Sequence, residues 1–239
     1  MMNKIQVIGF DADDTLWVNE PYFYDTTQRF CSLLSDYAPC EQVEHLLYRT
    51  EVGNIGLYGY GAKSFILSMV ETALSISNQQ VPAPTIHKIL ELGKELINKP
   101  VQLIDGVREV LEELYQRRFR LIVATKGDLL DQERKLKKSG LAGYFHHIEI
   151  MSDKQQDDYQ RLLTHLDVPP DSFMMVGNSL KSDILPVLKL GSYGVYVPFH
   201  TTWKHEEIDE SELSHPALIK VESISQIPNV IRKRNQHKN

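Results

Sequence analysis

The stretch Ile5-Gln6-Val7-Ile8-Gly9-Phe10-Asp11-Ala12-Asp13-Asp14-Thr15-Leu16-Trp17 decides how this chain is read. Its first half is short, apolar and β-branched, and it ends abruptly in carboxylates. That suits a buried parallel strand whose C-terminal end opens onto a site. The same grammar recurs. Phe119 to Ala124 ends in Thr125-Lys126-Gly127-Asp128, and His147 to Met151 ends in Ser152-Asp153-Lys154. Phe173 to Val176 ends in Gly177-Asn178-Ser179, and Tyr193 to Val197 is stopped by Pro198. A late strand is expected around Ala217 to Val221, followed by a helix from Ile224 towards Arg232.

Helical spacing fills the intervals. Val107, Val110, Leu111 and Leu114 share one face, as do Leu129, Leu130 and Leu136 in the next segment. Tyr159, Leu162, Leu163 and Leu166 repeat it before Pro169-Pro170 ends the helix. Ile184, Leu185, Val187 and Leu188 form another, with Pro186 accommodated near the first turn after a Ser182 cap. Strands alternating with helices predict an α/β fold, a doubly wound, Rossmann-like parallel sheet. Ligands of such sheets sit beyond the carboxyl ends of the strands, where every polar cluster above falls.

From about Pro21 to Pro100 the rhythm changes. Phe65, Ile66, Met69, Val70, Ala73 and Leu74 make one apolar helical face, and no strand pattern interrupts the segment. An inserted all-α domain of roughly 80 residues is expected there. The boundaries read as 1–17 and 101–239 for the core and 18–100 for the insertion.

The bulk numbers exclude more than they assert. With 239 residues, 42% hydrophobic and 24% charged, the chain is an ordinary globular one. Its net charge of −6 lacks a basic stripe, which argues against nucleic-acid binding, where phosphate neutralisation supplies much of the affinity. Nothing approaches the roughly 20 apolar residues of a spanning helix, and no leader-like segment opens the chain, so no membrane partner and a cytoplasmic location are expected. The two cysteines, Cys31 and Cys40, form no metal motif and are read as free thiols.

Asp11 and Asp13 stand two apart, but at a strand terminus the chain turns and can bring both to one site. A carboxylate attacks a phosphate dianion only when a divalent cation and other cationic groups offset the repulsion. A second acid must also protonate the leaving alkoxide and later deprotonate water. Thr125 and the Lys126 main-chain N–H offer a grip for phosphate oxygens beside a helix start near Asp128. Lys154 offers counter-charge, and Asp183 a hard oxygen for Mg²⁺. Each residue has a plainer explanation, as a capping turn, a helix cap, a surface lysine or a first-turn acid. Their order at four successive strand ends makes coincidence a poor account.

Taken together, Asp11-x-Asp13-x-Thr15, Thr125, Lys154 and Gly177-Asn178-Ser179 with Asp183 resemble the haloacid dehalogenase-like hydrolase superfamily. The likeness is greatest to its phosphatases with a helical cap inserted after the first strand. It implies that Asp11 forms an aspartyl-phosphate and that Asp13 acts as general acid and base, lending its carbonyl to Mg²⁺. Thr125, Lys126 and Lys154 would bind phosphate, and Asp11, Asp13, Asn178 and Asp183 would be the metal ligands. The insertion would be a cap that excludes water. Two positions depart from the pattern: Asn178 where Asp is usual, and Asp14 where Gly is often found. The acid at Asp13 separates the chain from dehalogenases, which displace halide and have no leaving oxygen to protonate. The function implied is a Mg²⁺-dependent phosphatase of a small phosphorylated metabolite. A phosphomutase with a substrate loop at Gly56–Lys63, and a phosphate-binding protein of little turnover, are the alternatives.

Overall fold

The computed structural model describes residues 5–208 and 214–236. Six parallel strands form one sheet in the order β3-β2-β1-β4-β5-β6. They are β1 (Val7–Phe10), β2 (Arg120–Lys126), β3 (His147–Met151), β4 (Phe173–Gly177), β5 (Tyr193–Tyr196) and β6 (Leu218–Lys220). Each expected strand is present. The central strand is fixed by register, with Phe10 opposite Val123 on one side and Val176 on the other.

Alternation along the strands sorts side chains to two faces, and a helical layer covers each. Ile8, Phe10, Leu121, Val123, Met174 and Val176 pack with Val110, Leu111 and Leu114 of α5 (Val107–Gln116) and with Ile227 and Ile231 of α9 (Ile227–Gln236). Val7, Ile122, Ala124, Phe173 and Met175 pack with Tyr159, Leu162, Leu163 and Leu166 of α7 (Gln156–Leu166). Apolar residues facing both ways bury the central strands β1, β2 and β4 on both faces, which is why they read as nearly continuous apolar runs, while the edge strands β3 and β6 are only partly buried.

Backbone contacts divide the chain into two compact units, one of residues up to 18, 101–126 and 135 onward, the other of 19–100 and 127–134. The second contains α1 (Glu20–Leu33), α2 (Cys40–Tyr58), α3 (Ala62–Ile76) and α4 (Ala83–Asn98) around Phe30, Leu34, Leu47, Met69 and Ile89. The tight turn between α2 and α3 needs Gly59 and Gly61, whose φ values are 71° and 105°. Lys63 in that stretch pairs with Asp128 at 3.0 Å, so its charge is already matched. Cys31 and Cys40 are not bonded to each other. Among the described residues no helix is long and apolar enough to cross a membrane.

Two helical expectations need correction. In α6 (Leu129–Ser139), Leu136 is buried, but Leu129 and Leu130 are 59% and 65% exposed. They occupy the first turn, where Asp128 accepts the Asp131 N–H and ties the helix start to a polar end. The Ser182 cap is also displaced. Ser179 makes the cap, its hydroxyl accepting the Ser182 N–H at 3.0 Å. A wide π-type turn, Leu180–Ile184, then leads into α8 (Leu185–Lys189). Pro186 has no N–H to return to the Ser182 carbonyl; the Tyr159 hydroxyl donates to that carbonyl instead, at 3.2 Å.

These burials predict unequal costs within one helix. Leu136→Ala should cost about 2–5 kcal/mol in a urea melt, and Leu130→Ala under about 0.5 kcal/mol.

Candidate active site

The site residues of the first unit come from the carboxyl ends of four successive strands of the sheet, β3, β2, β1 and β4. Asp11 follows β1, and its N–H donates to Val176 O of β4 at 2.9 Å. The chain then turns tightly, with the N–H groups of Thr15, Leu16 and Trp17 all directed at Ala12 O. The turn requires Asp14 in the left-handed region, φ 59°. Glycine suits that conformation best, but a short carboxylate tolerates it, which explains how Asp stands here. Asp14 is buried, not turned to solvent.

Lys154 lies beyond β3, just before the N-terminus of α7. Its ammonium is 2% exposed and donates to Asp11 Oδ1 and, at 2.7 Å, to Asp183 Oδ1. Asp183 accepts the Ser179 N–H at 2.9 Å through its other oxygen. Gly177 makes room for this, since a Cβ there would lie 2.2 Å from Asp183 Oδ2. Both carboxylate oxygens of Asp183 therefore have a partner within the protein.

Burial pushes the Asp11 carboxyl up most strongly. Lys154 pulls it down, the charges of Asp183 and Asp13 add to the rise, and the balance lies at about 7. Burial alone would favour a neutral Lys154, but Asp11 and Asp183 outweigh it and hold the ammonium well above its ordinary value. Tyr159, fully buried, is raised chiefly by desolvation and stays a neutral donor.

The second oxygen of Asp11 faces a different set of groups. It accepts the Thr15 hydroxyl at 3.2 Å. One end of the Asn178 side-chain amide lies 3.2 Å from Asp11 Oδ2, Thr15 Oγ1 and the Asp13 main-chain oxygen. With nitrogen at that end, the amide donates to these oxygens and closes the cluster without help. With oxygen there, a carboxylate, a carbonyl and an amide oxygen converge, and a cation is needed between them. Hard oxygen donors of this kind fit Mg²⁺. Asn178 thus serves either state, whereas an aspartate in its place would repel Asp11 whenever the metal is away.

Asp13 points elsewhere. Its Oδ1 accepts from Trp17 Nε1 at 2.8 Å and from Lys135 Nζ at 2.9 Å. Thr125 is buried near the end of β2, its hydroxyl donating to Lys126 O at 3.2 Å. The Lys126 side chain pairs with Glu206 at 2.6 Å and donates to Ser182 Oγ at 2.9 Å. Its main-chain N–H, not its ammonium, is the part suited to a phosphate oxygen. Sequence reading missed Trp17, Lys135, Tyr159 and Glu206. Trp17 sits in the quoted stretch, Lys135 on an ordinary helix, and Glu206 in irregular chain with no pattern to mark it.

A family model described as haloacid dehalogenase-like hydrolase matches residues 5–191. The chain therefore belongs to that family of hydrolases. A haloacid dehalogenase-like hydrolase from Xanthomonas campestris is 38% identical, with TM-score 0.85 over 96% of this chain and 91% of that one. Two more distant structures share the fold. One, described as a predicted phosphoglycolate phosphatase from Haemophilus somnus, is 18% identical with TM-score 0.65, covering 96% of this chain and 99% of its own. The other, a 2-haloacid dehalogenase from Pseudomonas syringae, is 18% identical with TM-score 0.66 and the same coverage. No curated protein matches the chain.

The charge balance predicts opposite effects for two substitutions in metal-free protein. Lys154→Met leaves two buried carboxylates without a cation and should cost about 3–5 kcal/mol in a urea melt. Asp11→Asn should do the reverse at alkaline pH. The Asp11 carboxyl is raised from 3.8 to about 7, so its contribution to stability is full below 3.8 and is lost as pH rises through 7. The melting temperature of Asp11→Asn relative to wild type should therefore climb between pH 5 and pH 8; a flat difference would contradict the assignment.

Proposed function

We propose that the protein is a Mg²⁺-dependent phosphatase of a small phosphorylated metabolite, with Asp11 as nucleophile. One observation carries the reading. The buried Asp11 carboxylate has one oxygen on an ammonium, while the other faces a set of oxygens that a cation would join. With a cation joined there, the arrangement would place two positive charges beside an anionic nucleophile that must approach an anionic phosphate.

In this reading Asp11, the Asp13 carbonyl and Asn178 hold the metal, with Asp183 reached through water. Bound Mg²⁺ would offset the negative charge shared by carboxylate and phosphate. Asp11 attacks phosphorus, the P–O bond to the leaving alcohol breaks, and an aspartyl-phosphate forms. Asp13, protonated before it turns from Trp17 and Lys135, gives that proton to the leaving oxygen and then takes one from the water that attacks phosphorus. Thr125 Oγ1, the Lys126 N–H and the Lys154 ammonium receive the phosphate oxygens. Residues 19–100 would act as the cap that selects the alcohol. A halide leaves without a proton, so an acid at Asp13 favours an oxygen leaving group over dehalogenation.

Hydrolysis of para-nitrophenyl phosphate by the purified protein should require Mg²⁺ and vanish with EDTA. Asp11→Asn should lower kcat by at least about a thousandfold. Asp13→Ala should lower turnover of an alkyl phosphate by about 10²–10⁴-fold. Activity that ignores EDTA or survives Asp11→Asn would overturn the mechanism. Asn178→Asp should tighten apparent Mg²⁺ binding in the same assay, and an unchanged Mg²⁺ dependence would remove residue 178 from the metal site.

A further inference from the structure

Beyond Asp11 and Lys154, the first unit holds a second, largely covered charge pair that the mechanism above does not use. After β5 the chain runs back along the loop that carries Asn178 and Asp183. Val197 N–H donates to Gly177 O at 2.9 Å, and the Lys181 ammonium donates to His205 O at 2.6 Å. Ile208 packs with Leu180, Ile184 and Leu188. At the end of this segment Glu206, its side chain only 13% exposed, places a carboxylate among three partners. Oε1 accepts from Lys126 at 2.6 Å. Oε2 accepts from the Ser179 hydroxyl at 2.6 Å and from the Ser182 hydroxyl.

These partners bracket the site. Lys126 follows Thr125, Ser179 follows Asn178, and Ser182 precedes Asp183. Ser179 and Ser182 are also joined to each other by the cap of the turn. A carboxylate in this position does two things. It holds the end of β2 and the loop after β4 in one arrangement, and it neutralises the Lys126 ammonium, one residue beyond Thr125. Burial would push the Glu206 carboxyl up, but the Lys126 charge and the bonds from Lys126, Ser179 and Ser182 outweigh it and bring it to about 2. The carboxylate is thus ionised across any working pH.

We infer that Glu206 is a positioning residue that sets the balance between cation and anion binding at this site, by cancelling the charge of Lys126 and fixing the loop that bears Asn178 and Asp183. The inference rests on the phosphatase reading. The Lys126 ammonium, bonded to Ser182 in the loop between Asn178 and Asp183, is kept from opposing the metal and from holding the phosphate product. If Glu206 acted only as a structural strut, its loss would weaken both ligands together. Charge cancellation predicts changes of opposite sign.

The test is calorimetric titration of the full chain with Mg²⁺ alone and with inorganic phosphate alone. Glu206→Gln keeps the shape and removes the charge. It should bind Mg²⁺ about tenfold more weakly and phosphate about tenfold more tightly, as an uncancelled charge at short range requires. The double variant Glu206→Gln/Lys126→Met should return both affinities towards wild type. Lys126→Met alone should show the mirror image, tighter Mg²⁺ and weaker phosphate, and it serves as the deciding variant if Glu206→Gln does not fold. Unchanged affinities in the single variants, or losses for both ligands that the double variant does not reverse, would overturn the inference while leaving the phosphatase reading intact. A wild type that binds neither ligand would sink that reading, and this inference with it.

Discussion

A lysine ammonium with almost no exposure, held between Asp11 and Asp183, is the interaction on which the rest of the site depends. Burying such a charge is costly unless partners surround it. Here the partners arrive from two other strand ends, so the parallel order of β3, β2, β1 and β4 is what makes the cluster affordable. Gly177 clears the space for Asp183, Ser179 fixes its second oxygen, and the Asp11 N–H is tied to β4. With one positive charge against two nearby carboxylates, the cluster is short of cation. Burial, only partly offset by Lys154 and reinforced by Asp183 and Asp13, leaves the Asp11 carboxyl raised to about 7, which suits a site that gains from a further cation.

Much of this was legible in the sequence. Strands buried on both faces must be apolar at nearly every position, so the central strands show as runs, and the runs of β1 to β4 break into polar residues at their carboxyl ends. Asp11, Thr125, Lys154, Asn178 and Asp183 stood out for that reason. What periodicity could not resolve was local. Leu129 and Leu130 match the helical face of Leu136 but fall in a first turn that lies open to solvent. The cap falls at Ser179 and not Ser182, because a wide turn precedes Pro186 and shifts the helix start. Glu206 was invisible because its partners lie far off in sequence and its own segment has no period.

The two positions that depart from the family pattern both have physical accounts. Asp14 occupies a left-handed turn that a short polar side chain tolerates. The Asn178 amide nitrogen can donate to the oxygens around Asp11, so the cluster is satisfied by the protein's own groups. Fold alone separates nothing here, since phosphatase and dehalogenase structures are about equally similar to this chain. The distinction rests on individual groups, above all on an acid at Asp13 for an oxygen leaving group.

The central claim is that Asp11 becomes phosphorylated. Para-nitrophenolate leaves without a proton, so an Asp13→Asn variant should form the aspartyl-phosphate from para-nitrophenyl phosphate yet hydrolyse it slowly. Rapid mixing with Mg²⁺, acid quench and peptide mass analysis should then show a burst of about one nitrophenolate per chain, with the phosphoryl mass on the peptide containing Asp11. Turnover by the wild type with neither a burst nor a modified Asp11 in this variant, or with the phosphoryl group on another residue, would contradict the account.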